Sequence, residues 1–228
     1  MNQFREWEKE YKKPVFLTKD SKPQADTVRF LKFLKKEGVD IAQSTVVDLG
    51  AGTGRNGNYL ATLGATVFGI ELSKTATLLA QKRAEEADLD ATYTQGDMGE
   101  KLPYEDEQFN AALDVMSSNS LTESCREMFV SEISRILKPG GYVYIKALCK
   151  DGDKNAKEMI KKFPGKEKDT YTMPETGITE RAFTEEDFRN IYGKGFEILS
   201  LEKKSNYIRF NNQSYKRNYW VCYMKKNK

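Results

Sequence analysis

The sequence predicts an α/β fold with a largely parallel sheet, and three observations carry that expectation. Apolar strand-like runs alternate with helical patterns from Thr45 to Thr94, the arrangement that right-handed crossovers produce. The first strand runs into a glycine-rich turn, Val46 to Gly54, which reads VVDLGAGTG. With 228 residues, 39% of them hydrophobic and 31% charged, the chain can bury a substantial core as one α/β domain with additions.

The elements follow in order. Phe4, Trp7 and Tyr11 fall at helical spacing, so a short helix is expected, either packed on the body or closing as a flap over a ligand. Pro14 and Pro23 bracket an extended connector. A helix over Ala25 to Lys36 would turn Val28, Leu31 and Leu34 inward, and Gly38 would end it. Strand Thr45 to Leu49 leads to a helix near Arg55 to Leu63, strand Thr66 to Ile70 to a helix near Lys74 to Ala87, and strand Ala91 to Thr94 follows. Phe109 to Val115 supplies a fourth strand and Glu123 to Leu137 a helix, with Gly141 to Leu148 a fifth strand behind the turn Lys138-Pro139-Gly140-Gly141.

From Lys150 to Arg181 the pattern loosens into a stretch rich in Lys, Asp, Gly and Pro, with a short helix expected at Asn155 to Phe163. An insertion after a strand end reads as a lid or specificity element, with a plain surface excursion as the alternative. Thr184-Glu185-Glu186-Asp187 forms a capping box, and Phe183 is placed to staple onto Phe188. Two strand-like runs, Phe196 to Phe210 and Arg217 to Met224, flank Asn211-Asn212-Gln213-Ser214 and read as an antiparallel hairpin at the sheet edge.

Composition removes several kinds of chemistry. There is no histidine, so Ser-His-Asp and Cys-His catalysis are excluded. Cys125, Cys149 and Cys222 are scattered and odd in number, which indicates neither a disulfide framework nor a metal site. No run has the length of a transmembrane helix and the first residues are highly charged, so a cytoplasmic protein without a membrane partner is expected. The net charge of +3 is uneven, with eight Lys and Arg against one acid from Ile198 to Lys228. That basic end, including Lys203, Lys204, Lys216 and Arg217, could dock RNA, but a solvated sheet edge is the more common explanation.

Spacing narrows the ligand. The glycines at positions 50, 52 and 54 are too closely set for a dinucleotide fingerprint, and Arg55 stands where its third glycine would be. Asp48 would repel a pyrophosphate at a helix N-terminus and welcome an ammonium or sulfonium. A tight strand-to-helix turn that uses glycine only for packing remains the alternative at this point. Glu71 closes the second strand where an acid in such a sheet receives ribose hydroxyls, with Ser73 the better N-cap for the next helix. Asp97 and Met98 after the third strand suit an adenine amino group and ring face. Asp114 and the run Ser117-Ser118-Asn119-Ser120 follow the fourth strand.

With VDLGAGTG, the acid of GIELS, the GDM turn with LPYEDEQFN behind it, and LKPGGYVYI, the stretch from Thr45 to Leu148 resembles a class I S-adenosylmethionine-dependent methyltransferase of the small-molecule type. The resemblance implies a Rossmann-like three-layer sandwich around a seven-stranded, mostly parallel sheet whose last strand is antiparallel. It implies S-adenosyl-L-methionine as cofactor, with Asp48, Gly50, Ala51, Gly52 and Gly54 against the methionine part. Glu71 would hold the ribose, Leu72 would pack on ribose or adenine, and Asp97 and Met98 would hold the adenine, with Asp114 nearby.

The fourth strand is followed by DVMSSNS and not by the D/N-P-P-Y/F tetrapeptide of relatives that methylate planar amino groups. A small-molecule acceptor is therefore expected, and an RNA-directed enzyme or binding module is the alternative. Positioning alone accelerates well-oriented transfers by about 7–11 kcal/mol. If a proton must leave, Asp114 or Glu123 are the candidate bases. Ser117, Asn119, Tyr171, Glu175 and Arg181 are candidates for the acceptor pocket, with ordinary loop polarity as their alternative. The expected organisation is a single domain, monomeric or weakly dimeric. It has a helical cap over 1–40, a cofactor-binding core over 41–149, an insertion or lid over 150–182, and a C-terminal helix and hairpin over 183–228.

Overall fold

A computed structural model describes residues 3–14, 21–210 and 213–227. Helix α1 (Phe4–Lys12) precedes α2 (Ala25–Lys36), and then the alternation begins: β1 (Thr45–Leu49), α3 (Arg55–Ala61), β2 (Thr66–Glu71), α4 (Lys74–Glu86), β3 (Ala91–Gln95), β4 (Phe109–Val115), α5 (Glu123–Ile136) and β5 (Leu137–Leu148). Helix α6 (Lys154–Lys162) and a small hairpin of β6 (Thr170–Thr172) and β7 (Thr179–Arg181) come next, then α7 (Glu185–Tyr192), β8 (Phe196–Phe210) and β9 (Gln213–Lys226). The main sheet has seven strands in the order β3-β2-β1-β4-β5-β9-β8. Strands β1 to β5 are parallel, and β9, last in the sequence, runs antiparallel between β5 and β8.

Strand alternation makes the three layers. In β1, Val47 and Leu49 point into one apolar cluster with Phe129 and Ile133 of α5 and Phe188 of α7. Val46 points the other way, into a cluster with Phe30 and Leu34 of α2, Leu60 of α3 and Ala80 of α4. Side chains of successive strand residues must face opposite layers. Serine and threonine caps start the crossover helices: Ser73 Oγ accepts from Ala76 N, Thr122 Oγ1 from Cys125 N and Thr184 Oγ1 from Asp187 N. Phe183 meets Phe188 edge-on at 6.2 Å, as the staple predicts.

Three local differences have physical reasons. The inward face of α2 centres on Phe30 and Leu34, with Val28 and Leu31 half-buried; Phe30 is drawn in by Tyr144 and Tyr223, each 5.3 Å away. Strand β5 begins at Leu137, which pairs with Phe109 before an irregularity carries the register to Ala111 and Tyr142. The expected turn Lys138–Gly141 is therefore an interruption inside the strand. The hairpin is longer than expected, because Ser214 already pairs with Arg209 in β9; Asn211 and Asn212 lie outside the described residues, as do residues 15–20 of the expected connector.

Candidate active site

The glycine turn is pinned to β2, since Gly50 and Ala51 both donate their N–H to the Ile70 carbonyl, at 2.8 and 3.0 Å. Gly50, Gly52 and Gly54 all have left-handed φ, at 69°, 55° and 76°. A Cβ on Gly50 would lie 2.3 Å from the Ser117 side chain, and one on Gly52 would lie 2.8 Å from the Tyr11 hydroxyl. Only glycine allows this path so close to its neighbours. Gly54 is glycine for packing, because a Cβ there would meet Ala80 at 2.9 Å.

Beside the turn, Glu71 Oε2 accepts from Gly52 N at 2.9 Å and Oε1 from Ser73 N at 2.8 Å. Burial raises its pKa, against the pull of those backbone donors. Each carboxylate oxygen keeps a further lone pair for a ligand hydroxyl. Asp97 Oδ1 accepts from Gly99 N at 2.8 Å, while its Oδ2 makes no hydrogen bond among the described residues.

These groups line one end of a cavity of about 830 Å³. Gly50, Ala51, Gly52, Glu71, Leu72, Asp97 and Met98 are all on its wall. Strand order sets its course: the ends of β1, β2 and β3 carry this end, Ser117 and Met116 after β4 form the middle, and Lys146 of β5 and Tyr219 of β9 stand at the far end. Met116 adopts φ 71°, a left-handed conformation that costs a non-glycine residue about 1–3 kcal/mol and is typical of functional turns.

Helix α1 lies over the cavity through Trp7 and Tyr11. It is clipped at its start and at its middle. Gln3 Nε2 donates to the carbonyls of Ser120 and Thr179, and its Oε1 accepts from Thr179 N. Glu8 accepts from Ser73 Oγ, Thr75 N and Thr75 Oγ1 at the start of α4. Burial opposes ionisation of Glu8, but these donors and Lys12 outweigh it and bring its pKa down to about 2. Tyr11 has its pKa raised by burial and by the Glu71 charge.

Several residues expected at the site stand off the cavity wall. Asp48 lies on the Val46 side of β1, so its carboxylate turns into α3 and accepts from Gly57 N at 3.0 Å. Burial pushes its pKa up to about 7, with the Gly57 hydrogen bond opposing and Asp114 and Glu71 adding to the rise. Asp114 is fully buried and caps the next turn, Oδ1 accepting from Ser117 N and Ser118 N at 3.0 and 3.1 Å; burial lifts its pKa to about 6. Glu123 is exposed on α5 and lines a different surface groove. Asn119 is buried, with Oδ1 taken by Leu148 N. Arg181 is buried 5.2 Å above the Phe183 ring, and Glu175 is exposed. Tyr171 is buried behind the wall and reaches it only through Glu180, to which its hydroxyl donates at 2.9 Å. Ser117 is on the wall and donates to the Gly50 carbonyl at 3.0 Å.

The far wall holds residues that sequence reasoning did not single out: Gln3, Met116, Lys146, Glu180, Tyr207 and Tyr219. Lys146 could have been found as a charge inside the otherwise apolar run GYVYIKAL. Its ammonium is neutralised internally, 2.7 Å from Asp26 Oδ2 and 3.2 Å from Gln24 Oε1. Among the basic residues of the hairpin, Arg217 is turned inward onto Asp153 and Tyr171, and Lys204 pairs with Glu202.

Comparison with known proteins agrees with this geometry. Residues 46–141 match the family described as a methyltransferase domain. A phthiotriol/phenolphthiotriol dimycocerosates methyltransferase from Mycobacterium ulcerans is 31% identical over 144 residues, covering 61% of this chain and 51% of that protein. A fatty-acid O-methyltransferase from Mycolicibacterium smegmatis is 33% identical over 105 residues, covering 45% and 36%. The chain thus spans about half or less of the length of these curated relatives. Among solved structures, a 1,6-didemethyltoxoflavin N1-methyltransferase from Burkholderia thailandensis, with bound 1,6-didemethyltoxoflavin and S-adenosylhomocysteine, superposes with a TM-score of 0.71 at 17% identity, over 99% of this chain and 87% of that one. The fold is shared.

Sheet order, glycine turn and matched segment together define a class I S-adenosylmethionine-dependent methyltransferase domain over residues 46–141. S-adenosyl-L-methionine is the cofactor of the family, and the cradle fits it. The left-handed glycines leave room for backbone contact, the Glu71 carboxylate keeps lone pairs free for hydroxyls, and Asp97 and Met98 line the same cavity.

Proposed function

We propose that the protein transfers the methyl group of S-adenosyl-L-methionine to a small-molecule acceptor by in-line displacement, chiefly through proximity and orientation. The observation that carries this reading is the continuity of the cavity from the Glu71 end, past Ser117 and Met116, to Lys146 and Tyr219. Bound S-adenosylmethionine supplies a methyl group on a sulfonium, whose S–CH3 bond breaks with the electron pair left on sulfur. The residues of this chain supply position. Glu71 takes the ribose hydroxyls, Asp97 the adenine amino group and Met98 the ring face, while Gly50 and Gly52 admit the methionine part.

Asp48 and Asp114 act from behind, one fixing the start of α3 and the other the Ser117–Ser118 turn. Helix α1 closes over the bound cofactor and keeps water from the reacting atoms. The cap, core, insertion and hairpin together make one working unit. Among the described residues no helix is long and apolar enough to cross a membrane. Calorimetry with S-adenosylmethionine and S-adenosylhomocysteine tests the reading. Binding in the micromolar range is expected, and neither heat nor a thermal shift with either compound would sink it.

A further inference from the structure

Glu180 is held as no other acid on the cavity wall is. It sits on β7 directly opposite Tyr171 of β6 in the register of the small hairpin, so both side chains project from one face of that pair. Its Oε2 accepts from the Tyr171 hydroxyl at 2.9 Å, and that hydroxyl accepts in turn from Arg217 Nη2 at 3.1 Å. Arg217 Nε donates to Asp153 Oδ2 at 3.2 Å, and the same oxygen accepts from Asn218 N at 2.7 Å. Tyr171 and Asp153 are only 1% and 2% exposed. A buried relay of this length fixes one oxygen of Glu180, a residue on the cavity wall, and leaves the other, Oε1, without a hydrogen bond among the described residues.

The charges around Glu180 decide what Oε1 can receive. Arg217 is shared with Asp153, and Lys146 is held by Asp26 and Gln24 and lies 5.0 Å from the Tyr219 ring centre. Lys12 pairs with Glu8 at 3.1 Å. The far end of the cavity therefore presents one carboxylate whose charge the protein only half answers, among the aromatic walls of Tyr219 and Tyr207. A carboxylate taken out of water is unfavourable unless a cation completes it. Aromatic faces nearby favour the same kind of guest.

Resting on the methyltransferase reading above, we propose that the acceptor carries a protonatable amine and that Glu180 Oε1 receives it, so that this site selects amines over alcohols and rejects carboxylates. An ammonium has no lone pair to give. On docking, its N–H bond breaks with the electron pair kept on nitrogen, and the proton forms an O–H bond with Glu180 Oε1; the freed pair is then available to the methyl carbon. Burial raises the pKa of Glu180, opposed by Arg217 and Tyr171, which suits a carboxylate that must hold this proton. Tyr171 and Arg217 are positioning residues: they keep Oε2 occupied and so aim Oε1 at the cavity.

The test uses this 228-residue chain loaded with S-adenosylhomocysteine and three probes of one shape: 2-phenylethylamine, 2-phenylethanol and phenylacetate, titrated by calorimetry. The amine is expected to bind at least tenfold more tightly than the alcohol, and the acid not to bind. In Glu180→Gln the amine should fall about tenfold, to the level of the alcohol, with S-adenosylhomocysteine affinity unchanged. Tyr171→Phe should lose part of the preference and keep the cofactor affinity. Equal binding of the three probes, tighter binding of alcohol or acid, or an amine preference that survives Glu180→Gln would overturn the proposal and leave the cofactor reading standing. Failure of the wild type to bind S-adenosylhomocysteine would take down both. Should Glu180→Gln not fold, the order of the three probes on the wild type still decides the matter.

Discussion

The two ends of the cavity are built in opposite ways. The cofactor end comes from the tips of three neighbouring parallel strands, β1, β2 and β3, between Gly50 and Met98. The end proposed for the acceptor draws on α1, the turn after β4, β5, β7 and the hairpin, from Gln3 to Tyr219. At the first end, side chains are held by backbone N–H groups of the strand tips and turns; at the second, Lys146 and Glu180 are held by side chains of other elements, Asp26 of α2 and Tyr171 of β6. Perturbations at the two ends should therefore separate cleanly.

Gly50→Ala should have the largest effect. It places a Cβ 2.3 Å from Ser117 at a φ of 69°; relieving that contact needs a shift of about 1 Å, and a misplacement of that size in the cradle lowers turnover by about a hundredfold. Calorimetry with S-adenosylhomocysteine beside a thermal melt would check that the cofactor end is lost while the fold persists. Retained affinity would break the comparison, because it would mean that the cradle is not rigid.

The buried acids give a pH signature of the supports behind the cavity. Asp48 and Asp114 have folded-state pKa values raised to about 7 and about 6, so the folded state binds protons more readily than the unfolded chain. Their contribution to stability is complete below about pH 4 and is lost as pH rises through 6 to 7. Denaturant titrations across this window should show the total fall in stability shrinking in Asp114→Asn by about 3 kcal/mol. Glu8 has the opposite sign: its contribution is present above pH 4.5 and is lost as pH falls toward 2.

Glu8→Ala should release α1 from α4 and quicken S-adenosylhomocysteine dissociation about tenfold, roughly the worth of one hydrogen bond to a charged group. Stopped-flow measurement reads this directly. An unchanged rate would make α1 a packed helix and not a lid. The smallest effect is expected at the outer edge, where Tyr207 is 74% exposed. Tyr207→Ala, alone or with Lys203→Ala and Lys216→Ala, should change stability by less than about 0.5 kcal/mol and leave cofactor affinity unchanged. Salt-dependent RNA affinity that disappears with these substitutions would revive the docking alternative.

Much of the cofactor end was legible because its information is local. The glycine spacing, the acid closing β2 and the pair Asp97-Met98 each occupy a strand tip, and chain order alone places those tips side by side once the crossovers are right-handed. The direction of Asp48 was legible too, since period-two alternation puts it on the side of Val46, yet the presence of a carboxylate before the glycines suggested a ligand contact. Glu180 was not legible. It lies in TER, with no motif around it, and its neighbour Arg181, which looked the better pocket residue, points the other way because successive strand residues face opposite sides.

By itself the sequence determined the order of strands and helices, the caps at Ser73 and Thr184, and the glycine turn with its acid. These depend on backbone geometry and on neighbours within a few residues. Only the tertiary structure decided which charges are already answered: Lys146 by Asp26, Arg217 by Asp153, and Glu8 by the start of α4. The reason is electrostatic. A charged side chain is a ligand-binding group or a structural one according to what neutralises it, and in this fold the neutralising partner comes from a distant part of the chain.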